Sequence, residues 1–149
     1  MGRSRINKYP DTETFHYYNA NPKNRITGDC AFRAISTALD QDYNQTVMEM
    51  AEMMCKTGYA LNDAKGIDKY LQSKGWIKCR QPKKRDNTKY SGKEFCDYMR
   101  GYRGNVVAHI GGHHIVAFVC EDTEGLEHRC YDIWNPTGKC IGNYWVKEN

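Results

Sequence analysis

The feature that most restricts what this chain can fold into is a change of hydrophobic period about two thirds of the way along it. Before residue 105 the apolar residues recur at helical spacing, and after it they gather in short runs rich in β-branched and aromatic residues. Ala31, Ala34, Ile35, Ala38 and Leu39 stand at i, i+3, i+4, i+7 and i+8. That spacing predicts one buried face of a helix starting at about Cys30, with Thr27 or Asp29 as its N-cap. A second helix is predicted from an Asn44 cap and a Thr46–Glu49 capping box, with Val47, Met50, Ala51 and Met54 on one face and Gly58 at its end. A third runs from an Asn62 cap through Ile67, Tyr70 and Leu71 to Gly75. A fourth starts at Ser91, with Glu94 completing a capping box, and runs through Phe95, Tyr98 and Met99 to Gly101. The later runs, Val106–Ala108, Ile115–Val119, Arg129–Trp134 and Tyr144–Val146, read as strands, and Trp76–Cys79 is a candidate for one more. Helices followed by antiparallel strands predict an α+β domain. Residues 1–28 carry Pro10, Pro22 and little apolar periodicity and read as arm and loop, with 1–20 an extended arm.

At 149 residues the chain is expected to form a single domain, 1–149. Folding at this length buries roughly 68–70% of the unfolded chain's surface, enough for a core without staples. A content of 40% hydrophobic and 27% charged residues excludes disordered and collagen-like chains. No apolar run approaches the 18 or so residues of a membrane span, and no apolar stretch follows the basic N-terminus, so a cytoplasmic protein without membrane contact is expected. The net charge of +4 is too small to imply nucleic acid by itself. Seven cysteines, an odd number without a secretion signal, argue against a disulfide framework and leave metal binding, catalysis or burial.

The chemistry concentrates in two stretches. In Asn24-Arg25-Ile26-Thr27-Gly28-Asp29-Cys30-Ala31-Phe32-Arg33 a cysteine sits at the first turn of a helix. There the helix dipole and unpaired N–H groups stabilise a thiolate, and its own N–H can donate to a developing oxyanion. The bland reading is a buried cysteine without a role. The second stretch is Gly111-Gly112-His113-His114-Ile115-Val116-Ala117-Phe118-Val119, followed by Cys130-Tyr131-Asp132-Ile133-Trp134-Asn135. A histidine at the mouth of an apolar strand, with Asp or Asn at the end of a neighbouring strand, is how an imidazole is held in one tautomer. Adjacent strand residues face opposite ways, so one of His113 and His114 can face Cys30. Asp132 lies within a β-prone run that places it rigidly, whereas Asn135 precedes Pro136 and begins a turn, which leaves Asn135 in reserve.

Together the pieces resemble the papain-like cysteine peptidases: the order Cys, His, Asp or Asn, a cysteine heading the first core helix, an amide residue six positions upstream, and a histidine opening an Ile-Val-Ala-Phe-Val strand. The likeness covers about residues 20–147. It extends to the peptidase domains that cleave leader peptides in bacterial exporters and to small phage and bacterial papain-like proteins. Gly-Asp-Cys-x-Phe-Arg-Ala-Ile-Ser is also similar to the ovarian-tumour deubiquitinase signature, with departures at Thr27 and Ala31. The resemblance implies that Cys30 is the nucleophile, that His114, directly before the small apolar run, is the base with His113 in reserve, and that Asp132 orients it. Asn24, where the family usually has Gln, would complete the oxyanion hole with the Cys30 N–H. The implied activity is that of a cysteine peptidase or isopeptidase without cofactor or metal, acting on a peptide or protein.

Other readings stand beside this one. His109, His113, His114, Cys120, His128, Cys130 and Cys140 are enough ligands for zinc, but no Cys-x-x-Cys pair or His-Glu-x-x-His helix is present. Cys120 and Cys130 read as core residues or as partners across a hairpin, and Cys55, Cys79 and Cys96 as filler. The segment Lys78 to Lys89 carries six basic residues and one acid, Asp86, with no aromatic inside it. Stacking of bases is therefore not expected, and nucleic acid is not the expected partner. A non-catalytic binding module that uses residues 78–89 for nucleic acid or an acidic partner is the alternative from another class. Transglutaminase-like transfer and deamidation share the same nucleophile and base.

Overall fold

A computed structural model describes residues 5–148. The first four residues of the arm lie outside the described residues. The chain forms α1 (Arg5–Lys8), β1 (Phe15–Tyr17), α2 (Cys30–Ala38), α3 (Tyr43–Thr57), α4 (Ala64–Ser73), β2 (Trp76–Cys79), α5 (Gly92–Tyr98), β3 (Val106–Ile110), β4 (His114–Cys120), β5 (His128–Asp132) and β6 (Ile141–Lys147). The architecture is α+β. One six-stranded sheet has the order β1-β5-β4-β3-β6-β2.

Two expectations about the architecture are corrected. The sheet is mixed, because β1 pairs with β5 in parallel, Phe15 opposite Cys130 and Tyr17 opposite Asp132, while every other neighbour pair is antiparallel. The segment expected as an extended arm therefore supplies a helical turn and an edge strand, and its Phe15 is fully buried. Helices α2, α3 and α4 cover one face of the sheet and α5 covers the other. Ala31, Ala34, Ile35 and Ala38 of α2, Met50 of α3, and Ile67, Tyr70 and Leu71 of α4 form one apolar cluster with Val107, Ile115, Ala117 and Trp145. Phe95 and Met99, from α5 and its end, form another with Val106, Ala108, Ile110, Val116, Phe118 and Cys130. The central strands β3 and β4 are covered on both faces, which is why their sequences run apolar without alternation. Each cluster removes large apolar side chains from water at about 1.5–3 kcal/mol apiece.

The helix caps differ in detail from expectation. The α3 cap is Asp42, whose carboxylate accepts from the Gln45 N–H at 2.9 Å, and not Asn44. No Thr46–Glu49 box forms, because Thr46 donates to the Asp42 carbonyl and Glu49 turns to Lys74 and Tyr70. Asp63 replaces Asn62 as the α4 cap. The Ser91–Glu94 capping box and the left-handed Gly58 terminus form as the spacing predicts. No helix of the described residues is long and apolar enough to cross a membrane.

Candidate active site

Cys30 opens α2, and the N–H groups of the first turn face the N-terminal end of the helix, where its thiol lies. Asp29 occupies the cap position, but its carboxylate makes no capping bond. It accepts instead from Arg33 Nε at 2.8 Å, from the Tyr43 hydroxyl at 2.7 Å and from Asn21 Nδ2 at 3.0 Å. Arg33 continues to Asp132, its Nη1 donating to Oδ1 at 2.6 Å.

His114 and Asp132 reach the same spot from the sheet, since β4 begins where β5 ends. The turn before His114 is made by Gly111 and Gly112, at φ 64° and 91°, a left-handed pair that only glycine adopts without strain. Asp132 Oδ2 lies 2.6 Å from His114 Nε2, and Oδ1 accepts the Ile133 N–H at 2.7 Å besides Arg33. With Nε2 engaged, Nδ1 is the ring nitrogen left for the thiol, and Cys30 lies within hydrogen-bonding reach of the His114 imidazole and of the Ile115 N–H. The Trp134 indole is tilted beside the imidazole, ring centres 4.8 Å apart, and screens it from water.

Charge follows from this geometry. Burial opposes a Cys30 thiolate, but the hydrogen bonds from His114 and Ile115 and the charges of His114 and Arg33 outweigh it, and the thiol pKa falls below its ordinary value. Burial equally opposes an imidazolium at His114, yet the bonds to Asp132 and Cys30 and their negative charges raise it to about 9. Each charge stabilises the other, and both shifts favour the thiolate–imidazolium pair.

The structure thus brings Cys30, His114 and Asp132 together and places His113 and Asn135 elsewhere. His113 is exposed on the turn. The Asn135 side-chain oxygen accepts from the Thr137 N–H and hydroxyl at 3.0 and 2.6 Å, which closes a local turn. Asn24 is exposed in a left-handed conformation (φ 54°), and its Oδ1 accepts from Asn19 Nδ2 at 3.4 Å, leaving its own Nδ2 as the donor group. No hydrogen bond among the described residues joins Asn24 to Cys30. Cys120 and Cys130 are not partners across the hairpin; Cys130 lies opposite Phe118 and Cys120 opposite His128. Among the described residues no three His, Cys, Asp or Glu gather to hold a metal ion. What sequence reasoning missed is Arg33, together with Asn21 and Tyr43 and the side-chain role of Asp29. Its signal was an acid and a base four residues apart, Arg33 being the one charge on a helix otherwise free of them. No family model matches the chain, and neither a curated protein nor a solved structure matches it.

Proposed function

We propose that this chain is a thiol-dependent hydrolase of the papain-like kind, a cysteine peptidase or isopeptidase acting on a peptide or protein. One observation carries the reading: a cysteine at a helix N-terminus in hydrogen-bonding reach of a histidine whose other nitrogen lies 2.6 Å from a buried carboxylate. In this scheme the Cys30 thiolate attacks the substrate carbonyl carbon, and the carbonyl π pair moves to oxygen, where the Cys30 N–H and Asn24 Nδ2 receive it. The C–N bond then breaks, the imidazolium of His114 gives its proton to the leaving amine, and a thioester remains on Cys30. His114 next takes a proton from water, whose oxygen attacks the thioester. The acid is released and the Cys30–His114 pair is restored. Asp132 keeps the imidazole in one orientation throughout.

The test is limited iodoacetamide treatment of the folded protein with peptide mass mapping, followed by intact-mass labelling with peptide and ubiquitin-like electrophiles. Cys30 is expected to react before the six other cysteines and to carry the electrophile, and Cys30→Ala to carry none. Alkylation of Cys55 or Cys140, both exposed, well ahead of Cys30 would defeat the assignment.

A second reading, a binding module, draws support from the hairpin after β2. Lys83 and Lys89 face each other across it, and Lys83, Arg85 and Lys89 are exposed and enter no ion pair among the described residues, whereas Lys84 pairs with Glu94. A salt series of oligonucleotide binding by the wild type and a Lys83/Lys84/Arg85→Ala protein separates the two. Tight binding at physiological salt, lost in the variant while Cys30 stays inert, would favour the module.

A further inference from the structure

One guanidinium joins the parts of the candidate site that come from opposite ends of the chain. Arg33 sits one turn after Cys30 on α2 and is only 6% exposed. Its Nε holds Asp29 at 2.8 Å and its Nη1 holds Asp132 at 2.6 Å, so a single fork serves two buried carboxylates. A neutral residue there could do neither of two things. The guanidinium places a positive charge directly against the almost fully buried Asp132 carboxylate. It also occupies Oδ1, together with the Ile133 N–H, so that Oδ2 is the oxygen presented to His114 Nε2. The other end of the fork reaches the loop before α2. Asp29 holds Asn21 Nδ2 at 3.0 Å, and the Asn21 carbonyl in turn accepts the Asn24 N–H at 2.8 Å. Tyr43 locks Asp29 from α3 at 2.7 Å.

The geometry points to Arg33, anchored by Asp29, as a positioning residue that fixes the rotamer of Asp132, and through it the ring of His114, while tying the Asn24 loop to the same anchor. The inference rests on the thiol-hydrolase reading above. A merely structural ion pair would affect folding stability and leave the chemistry of Cys30 unchanged.

The experiment follows the rate of Cys30 carboxamidomethylation by iodoacetamide against pH in the wild type and in Arg33→Gln, Arg33→Lys and Asp29→Asn, each checked for native fold by circular dichroism. In Arg33→Gln the rising limb is expected about one pH unit higher, with a rate near pH 6.5 about tenfold lower, because a nearby cation and the imidazole's orientation are both lost. Arg33→Lys restores charge without the fork and is expected to recover the rate in part. Asp29→Asn is the sharpest arm. It removes a negative charge near Cys30, which alone would ease thiolate formation, yet loss of the anchor is expected to lower the rate about threefold. Folded Arg33→Gln and Asp29→Asn proteins with the wild-type limb and rate would overturn the inference and leave the hydrolase reading standing. If Arg33→Gln does not fold, Arg33→Lys and Asp29→Asn decide, and wild-type behaviour in both overturns it. A wild-type Cys30 that reacts no faster than Cys55 removes the hydrolase reading and this inference with it.

Discussion

Cys30 and Cys130 stand near the same carboxylate and are driven in opposite directions. Cys130 precedes Asp132 by two residues on β5, is fully buried opposite Phe118 in the aromatic cluster beneath α5, and has its thiol pushed up by burial, by the Asp132 charge and by Cys96. Cys30 is also largely covered, yet its thiol is pushed down, because the His114 imidazole stands between it and Asp132. The contrast teaches that burial and a nearby acid do not decide whether a thiol is active. What decides is whether a group that can hold a proton is interposed and held in place.

The strongest way to break the contrast is to remove the interposed group. In His114→Ala the carboxylate no longer acts on Cys30 through a proton carrier. Hydrolysis of a cleavable peptide is expected to fall about 10²–10⁴-fold, and the pH profile of Cys30 alkylation to return to that of an ordinary thiol. An unchanged profile would mean that the helix N-terminus alone activates Cys30. Asp132→Asn acts on both thiols and should bring them together, Cys30 rising and Cys130 falling. Because it also strips a buried guanidinium of one partner, a loss of about 3 kcal/mol is expected in urea unfolding. A loss well below 1 kcal/mol would show that Asp29 alone satisfies Arg33.

The pH dependence sharpens the contrast without a mutation. On the thiol-hydrolase reading the thiolate and the imidazolium act together, so kcat/KM should rise through a Cys30 value below the ordinary thiol range and fall at about pH 9 as His114 loses its proton. Outside that window the rate is expected to drop about tenfold per pH unit. A single rising limb near the ordinary thiol value would contradict the pair. Stability has a separate acid limb. The Asp29 carboxyl is held below its ordinary 3.8 because bonds from Arg33, Tyr43 and Asn21 outweigh its burial, so its contribution is present above about pH 4 and is lost as pH falls through the folded value. Urea unfolding of the wild type at pH 3 and 6, beside Asp29→Asn, checks this. The smallest effect is expected for Cys130→Ala, about 1 kcal/mol of stability from lost packing and an unchanged Cys30 labelling rate.

How far these features could be read from the chain depends on how local their causes are. The α2 face, Ala31, Ala34, Ile35 and Ala38, is set by helical spacing alone and forms as expected. Cys30, His114 and Asp132 come together because each sits at the end of a recognisable element. Arg33 escaped because a charged residue one position from Ala34 reads as part of a solvated face, and only tertiary packing supplies its second acid 99 residues away. β1 escaped because three residues are too few to display alternation, and the partner that stabilises them lies near the other end of the chain. The α3 and α4 caps shifted by one or two residues because Asp42 and Asn44, or Asn62 and Asp63, are equally fit to accept an N–H.

The pairing of β1 with β5 also bears on when the site comes into being. Asp132 is fixed from outside by the parallel strand, its carbonyl accepting the Tyr18 N–H at 2.9 Å, while Arg5 reaches the next carbonyl, that of Ile133, at 2.9 Å. An early segment must therefore wait for one of the last strands. At a synthesis rate of about 5–20 residues per second, the 84 positions from Cys30 to His114 take roughly 4–17 s, and throughout that interval Cys30 is without His114. Contacts of such long sequence separation form slowly and late. On the thiol-hydrolase reading, a newly made molecule gains the contribution of His114 to its Cys30 thiol only when the sheet closes, and is quieter toward its neighbours until then.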